Sequence, residues 1–185
     1  AARKAGRFDS EIVSVPIKGD KVLDIDEHAR DGVTLESLAK LPTVFRKNGT
    51  VHAGNSSGIT DGGSALVLMA EDKLEGRTPL ARIAGSSVAG LDPFRMGLGP
   101  VPAFQKLRDR TGWEIKDYDL MEVNEAFAAQ VIACDRELKY DWSRTNVNGG
   151  AIALGHPIGA TGARIVVTLL HEMQKRDSHR GLVTL

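Results

Sequence analysis

A histidine set among glycines, His156 in "GGAIALGHPIGATGAR", is the residue of this sequence best suited to chemistry. An imidazole titrates near neutral pH and can take a proton from a thiol or a hydroxyl. Pro157 fixes the backbone after it, and Gly155, Gly159 and Gly162 let the chain pass close to another group. A histidine that serves only packing does not need that freedom around it. Residues Gly159–Ala163 are small and open an apolar helix, whose N-terminus suits an anion or a developing oxyanion. Asn124 in "LMEVNEAFAAQ" stands at a strand-to-helix junction. It reads either as a helix N-cap or as an amide turned toward a pocket, holding a water or a substrate carbonyl. In "VHAGNSSGITDG", Ala53 to Gly58 are small enough for a ligand to approach the backbone, and Ser57 offers a hydroxyl. A simple turn before a strand explains that stretch equally well.

The glycine spacing around His156 is not G-x-G-x-x-G, and no Gly-Lys-Ser/Thr follows, so dinucleotide and P-loop binding are both unsupported. His171 and Glu172 do not form H-E-x-x-H, and the histidines lack metal-ligand spacing, which argues against a metal site. The sole cysteine, Cys134, lies on the apolar face of a helix and reads as a buried structural thiol. One cysteine excludes an intrachain disulfide framework and fits a reducing compartment. The chain has 24 basic and 24 acidic side chains, so it carries no electrostatic footprint for nucleic acid or an anionic membrane. No apolar run reaches the roughly 18 residues of a membrane span, and "AARKAGRFDSE" lacks the apolar middle of a signal peptide. The expectation is a soluble intracellular protein or part of one.

Around these groups the chain alternates strands with helices. "EIVSVPIKGD" reads as an irregular strand pair, and a short helix is expected near Leu35–Lys40, within a polar region of low regularity. Ala65–Met69 reads as a buried strand and "LARIAGSSVAG" as a second. "PVPAFQKLRDRTG" predicts a helix with Val101, Phe104 and Leu107 on one face and Gly112 as its stop. "DYDLMEV" predicts a strand and "EAFAAQVIACDRELK" a helix that buries Phe127, Val131, Cys134 and Leu138. "GARIVVTLLHEMQKR" predicts a last helix and "GLVTL" a last strand, with the charged end "MQKRDSHR" solvated. This alternation implies an α/β layered domain. Ending inside an apolar strand, the chain reads as a fragment.

"GNSSGITDG", "NEAFAAQ" and "NVNGGAIALGHPIGATGAR" together resemble the later half of the thiolase family, and within it the acetoacetyl-CoA type. The resemblance implies an α/β thiolase-like layered fold, with helices packed on a mixed β-sheet, comprising the second half of a duplicated core and part of a loop domain. It divides the chain into residues 1–50, part of a CoA-binding loop domain, and 51–185, most of a C-terminal domain. It implies condensation of two acetyl-CoA molecules to acetoacetyl-CoA and CoA, or the reverse cleavage, through a cysteine thioester. His156 matches the histidine that activates the cysteine and helps form an oxyanion hole, and Asn124 the asparagine that positions a water there. Arg30 and Ser37 match positions at the nucleotide end of CoA. Ala53, Ser57 and Ile59 match the pantetheine channel, which Met96, Ala126 and Phe127 would wall. No covalently bound cofactor is implied; CoA is a substrate. The resemblance also implies a cytoplasmic homo-oligomer, dimeric or tetrameric. The nucleophilic cysteine belongs to the family's N-terminal half, and the second cysteine falls just after a strand like "GLVTL". The chain is therefore expected to lack turnover alone. The rival readings are a 3-ketoacyl-CoA thiolase of fatty-acid β-oxidation and an inactive CoA-binding fragment.

Overall fold

A computed structural model describes residues 1–185. The N-terminal part is mostly irregular. It holds a two-residue hairpin, β1 (Val15–Pro16) against β2 (Val22–Leu23), and a short helix α1 (Leu35–Ala39). The expected strand pair and short helix are thus present. The regular elements that follow are α2 (Pro100–Thr111), β3 (Leu120–Val123), α3 (Ala128–Leu138), α4 (Ala151–Leu154), α5 (Thr161–Arg176) and β4 (Gly181–Thr184).

Helix α2 starts on a proline, whose missing N–H costs nothing in the first turn. It stops at Gly112, which adopts φ 73° and returns its N–H to Arg108 O at 2.7 Å. Its expected face is the buried one: Phe104 enters the core, with Val101 and Leu107 packed against it. Strand β3 is buried along its whole length, as expected for a strand covered on both faces. It pairs in parallel with β4, Leu120 opposite Gly181 and Val123 opposite Thr184. On its other edge Met121 bridges Thr145, with Met121 N donating to Arg144 O and Asn146 N to Met121 O, both at 2.9 Å. A parallel pair needs a crossover, and here α3, α4 and α5 provide it. Helix α5 lies across both strands and buries Thr161, Ile165, Leu169 and Glu172, one stripe at helical spacing. The apolar core joins Phe104, Ile115, Tyr118, Met121, Val123, Val131, Cys134, Tyr140 and Leu182. This is the α/β class expected, with parallel pairing in the sheet around β3.

Two expectations fail. Ala65–Met69 forms no strand and is not buried: Val67 is 92 % exposed and Leu68 72 %. Leu80–Gly90 also forms no strand. It is tied to α2 by Ser87 Oγ donating to Ala103 O at 2.6 Å and by Arg110 reaching Ser86 O at 2.7 Å. Neither segment has a ladder partner among these 185 residues. Apolar, β-branched sequence becomes strand only where a neighbour completes its hydrogen bonds. Charged residues at the end of α5 are also less free than expected, because Glu172 is buried and pairs with Arg176. No helix is long and apolar enough to cross a membrane, and no group of three acidic, histidine or cysteine side chains could hold a metal ion.

Candidate active site

Helix α3 begins only at Ala128, with Phe127 as its N-cap residue, so Asn124 does not cap it. Residues 124–127 instead leave the sheet without helical turns, with a bend at Ala126 and Phe127 extended. Asn124 N continues the β3–β4 ladder to Thr184 O at 2.9 Å, and the side chain is buried, only 7 % exposed. The sequence left cap and pocket open for Asn124, and the geometry excludes the cap. Its Nδ2 lies 3.3 Å from His156 Nε2.

Gly155 delivers His156 at the end of α4, with φ 96°, a conformation that favours glycine. A side chain at Gly155 would also collide with Thr60. His156 N donates to Gly58 O at 2.8 Å, and Nδ1 lies 2.7 Å from Thr161 Oγ1. The Thr161 hydroxyl proton is already directed to Pro157 O at 2.9 Å. Oγ1 therefore accepts, Nδ1 carries the ring proton, and Nε2 is left with a lone pair facing Asn124. Nδ2 accordingly donates to Nε2, and Asn124 Oδ1 remains buried without a partner. Burial, and secondarily the Arg164 guanidinium, hold the His156 pKa below the ordinary histidine value. The ring is thus neutral and basic near pH 7. Once Nε2 takes a proton, both ring N–H groups donate, and Nε2–H stands beside the Asn124 amide as a pair of donors. That is the arrangement an oxyanion needs.

The glycine-rich start of α5 is less open than its sequence implies, since Ala160 N and Thr161 N both donate to Pro157 O. Of the ligand positions expected from the sequence, Ser57, Ala126 and Phe127 come together beside Asn124. Ser57 N and Oγ both donate to Ala126 O, at 3.0 and 3.1 Å, and Ser56 bridges Phe127. Through Gly58 the same loop reaches His156, so three segments converge on the Asn124–His156 pair. Phe127 meets Phe45 edge to face at 5.7 Å. Ala53 and Ile59 lie on the exposed side of that loop, Ile59 84 % exposed. Arg30 is exposed, and the Ser37 hydroxyl is occupied in the capping box of α1, accepting from Thr34 N at 3.0 Å. Met96, in a 3-10 turn over 93–98, is 72 % exposed.

Cys134 is fully buried and donates to Gly97 O at 3.2 Å. Burial pushes its thiol pKa up, which suits packing and not nucleophilic attack. Residues that sequence reasoning missed include Thr161, Glu125 and Asn146. Thr161 had a signal, a hydroxyl one helical turn beyond His156. His28 was missed as well; its ring covers Gly58, where an added methyl would overlap it.

Two family models match the chain: "Thiolase, N-terminal domain" over residues 1–72 and "Thiolase, C-terminal domain" over residues 77–185. An acetyl-CoA acetyltransferase of Paracoccus denitrificans is 55 % identical across 100 % of this chain and 49 % of its own length. The crystal structure of the Bacillus anthracis acetyl-CoA acetyltransferase superposes with a TM-score of 0.90 at 49 % identity, covering 98 % of this chain and 48 % of that one. Human mitochondrial 3-ketoacyl-CoA thiolase in complex with CoA gives a TM-score of 0.82 at 47 % identity, over 96 % and 45 % of the two chains. The chain spans about half the length of the curated relatives it matches.

Proposed function

The chain belongs to the thiolase family, and from that premise we propose that it supplies the histidine–asparagine half of an acetyl-CoA acetyltransferase site. The reaction is condensation of two acetyl-CoA to acetoacetyl-CoA and CoA, or its reverse. The observation that carries this reading is the Asn124 Nδ2 to His156 Nε2 contact at 3.3 Å, with Nδ1 held by Thr161. His156 Nε2 takes the proton of a cysteine thiol as that sulfur attacks the thioester carbonyl. The Nε2–H so formed, with the Asn124 amide and a water it holds, then faces the oxygen on which charge develops. One such donor contributes on the order of 3 kcal/mol to a transition state.

Cys134, buried inside α3, is not that nucleophile, so the reading requires cysteines from outside these residues. The isolated chain binds CoA without turning it over. Its CoA contacts come from Ser57, Ala126 and Phe127 near the pair and from Arg30, Ser37, Ala53, Ile59 and Met96 on the exposed surface. Residues 1–50 serve as part of the loop domain and 51–185 as most of the C-terminal domain. Dimeric or tetrameric assembly and a cytoplasmic setting go with the acetyltransferase reading. The relatives called acetyl-CoA acetyltransferase favour the short-chain substrate, while the likeness to a 3-ketoacyl-CoA thiolase keeps a longer acyl group as the second reading.

Thiolysis of acetoacetyl-CoA against a long-chain 3-ketoacyl-CoA, in the full-length polypeptide carrying this chain, separates the two. A preference for acetoacetyl-CoA, lost in His156→Ala, is expected. No His156-dependent cleavage of either substrate would refute the thiolase assignment of the site.

A further inference from the structure

His156 meets Asn124 where a ten-residue segment, 146–155, which includes α4, folds back onto the end of β3, and two side chains tie it to that strand. Asn146, in the left-handed region at φ 48°, acts as one more rung of the sheet. Its Oδ1 accepts from Val123 N at 2.8 Å and its Nδ2 donates to Val123 O at 2.9 Å. The same Nδ2 lies 3.0 Å from Glu125 Oε1. The other carboxylate oxygen, Glu125 Oε2, accepts from Ile152 N at 3.1 Å, in the first turn of α4. Gly150, the residue before α4, has no side-chain cap to give, so the carboxylate does the capping from across the loop. It sits so close to Gly150 that an added methyl would overlap it.

We propose that Glu125 and Asn146 are positioning residues that set the Asn124–His156 contact. Glu125 follows Asn124 directly in the chain, and α4 is only four residues long, ending at Gly155 beside His156. The carboxylate therefore ties the backbone next to one member of the pair to the short helix that carries the other. Both of its oxygens accept, so no neutral isostere can keep both bonds. The inference rests on the thiolase reading for what the pair does, but the tie itself is a matter of geometry.

Nuclear magnetic resonance of the whole 185-residue chain tests it through the Asn124 side-chain amide and the His156 ring nitrogens. Glu125→Gln turns an NH2 group toward either Asn146 Nδ2 or Ile152 N and must lose one bond. Exchange of the Asn124 amide protons should then quicken by about tenfold or more, as the contact opens locally. Gly150→Ala, which removes no polar group and leaves an acceptable φ of −130°, should do the same by displacing the carboxylate. Asn146→Asp sets two carboxylates together and should be worse still. Combined with Glu125→Gln, it restores the donor–acceptor pair between 125 and 146 but not the bond to Val123 O, and should slow exchange only part of the way back. In the full-length polypeptide, Glu125→Gln should lower kcat for acetyl transfer about tenfold while KM stays within about twofold, as expected for lost orientation. Unchanged exchange and His156 shifts in Glu125→Gln and Gly150→Ala would overturn the proposal. So would a Gly150→Ala variant that unfolds the chain as Glu125→Gln does, since the carboxylate is then only a strut of the fold. Absence of acetyl transfer in the wild-type polypeptide would strike the thiolase reading instead, leaving the exchange experiment to decide the tie.

Discussion

All 22 buried residues lie at Pro100 or beyond, and none lies among the first 99. The two regions are made of similar material: Val67 and Leu68 are no less apolar than Met121 or Leu182. They differ in whether a partner exists within the chain. Strand β3 has β4 on one edge and the Thr145 bridge on the other, with α5 across it. Residues 65–69 and 80–90 have the composition of strands and no ladder. The chemistry divides along the same line. Asn124 and His156 belong to the buried region, while Arg30, Ser37, Ala53, Ile59 and Met96 belong to the exposed one. The Asn124–His156 pair is fixed by this chain's own core; these five expected ligand positions are not.

The strongest way to break that contrast is to cut into each region in turn. Met121→Ala and Ile165→Ala, both at positions only 1 % exposed, should each cost about 2–5 kcal/mol in chemical denaturation. Val67→Ser should shift stability by no more than about 0.5 kcal/mol. A cost of the same size at Val67 as at Met121 would show that the first region has a core of its own.

A smaller effect sharpens the comparison through pH. Glu122, buried on the same face of β3 as Asn124, has its pKa raised from 4.5 to about 7, chiefly by loss of solvent and against the pull of Arg164. A carboxyl whose folded pKa lies above its unfolded value stabilises fully below pH 4.5, and that benefit fades as pH rises through about 7. His156 acts from the other side. Its lowered pKa makes folding harder once the unfolded ring binds a proton, so stability falls as pH drops below the ordinary histidine value. Glu122→Gln should therefore gain on wild type between pH 5 and pH 8, by on the order of 1–3 kcal/mol. Parallel stability curves would mean Glu122 ionises freely. Of similar size, Thr161→Val should leave Nδ1–H without an acceptor and destabilise by about 1–3 kcal/mol, with Thr161→Ser near wild type.

Much of the buried region was legible in the sequence because its signals are local. The Val101, Phe104 and Leu107 spacing with Gly112 gives α2, and the short apolar run Leu120–Val123 gives β3. The pairing of His156 with Asn124 came from the motifs, and the geometry brings the two together. The failures were non-local. Ala65–Met69 has the right composition for a strand, but strand formation depends on a neighbour that composition cannot report. The tie through Glu125 and Asn146 was invisible for the same reason: it exists only when β3 and the 146–155 segment meet. Asn124 looked like a cap because the helix seemed to begin at Glu125, whereas Ser56 and Ser57 pair with residues 126–127 and delay its start to Ala128.

A double-mutant cycle of Asn124→Ala and His156→Ala on acetyl-CoA condensation, in the full-length polypeptide, tests the central claim that these two side chains form one oxyanion-stabilising unit. Each single variant should lose about 10²–10³ in kcat, and the double should lose little more than the worse single, because either loss already empties the site. Fully additive losses, or a His156→Ala variant that condenses acetyl-CoA at the wild-type rate, would contradict the account.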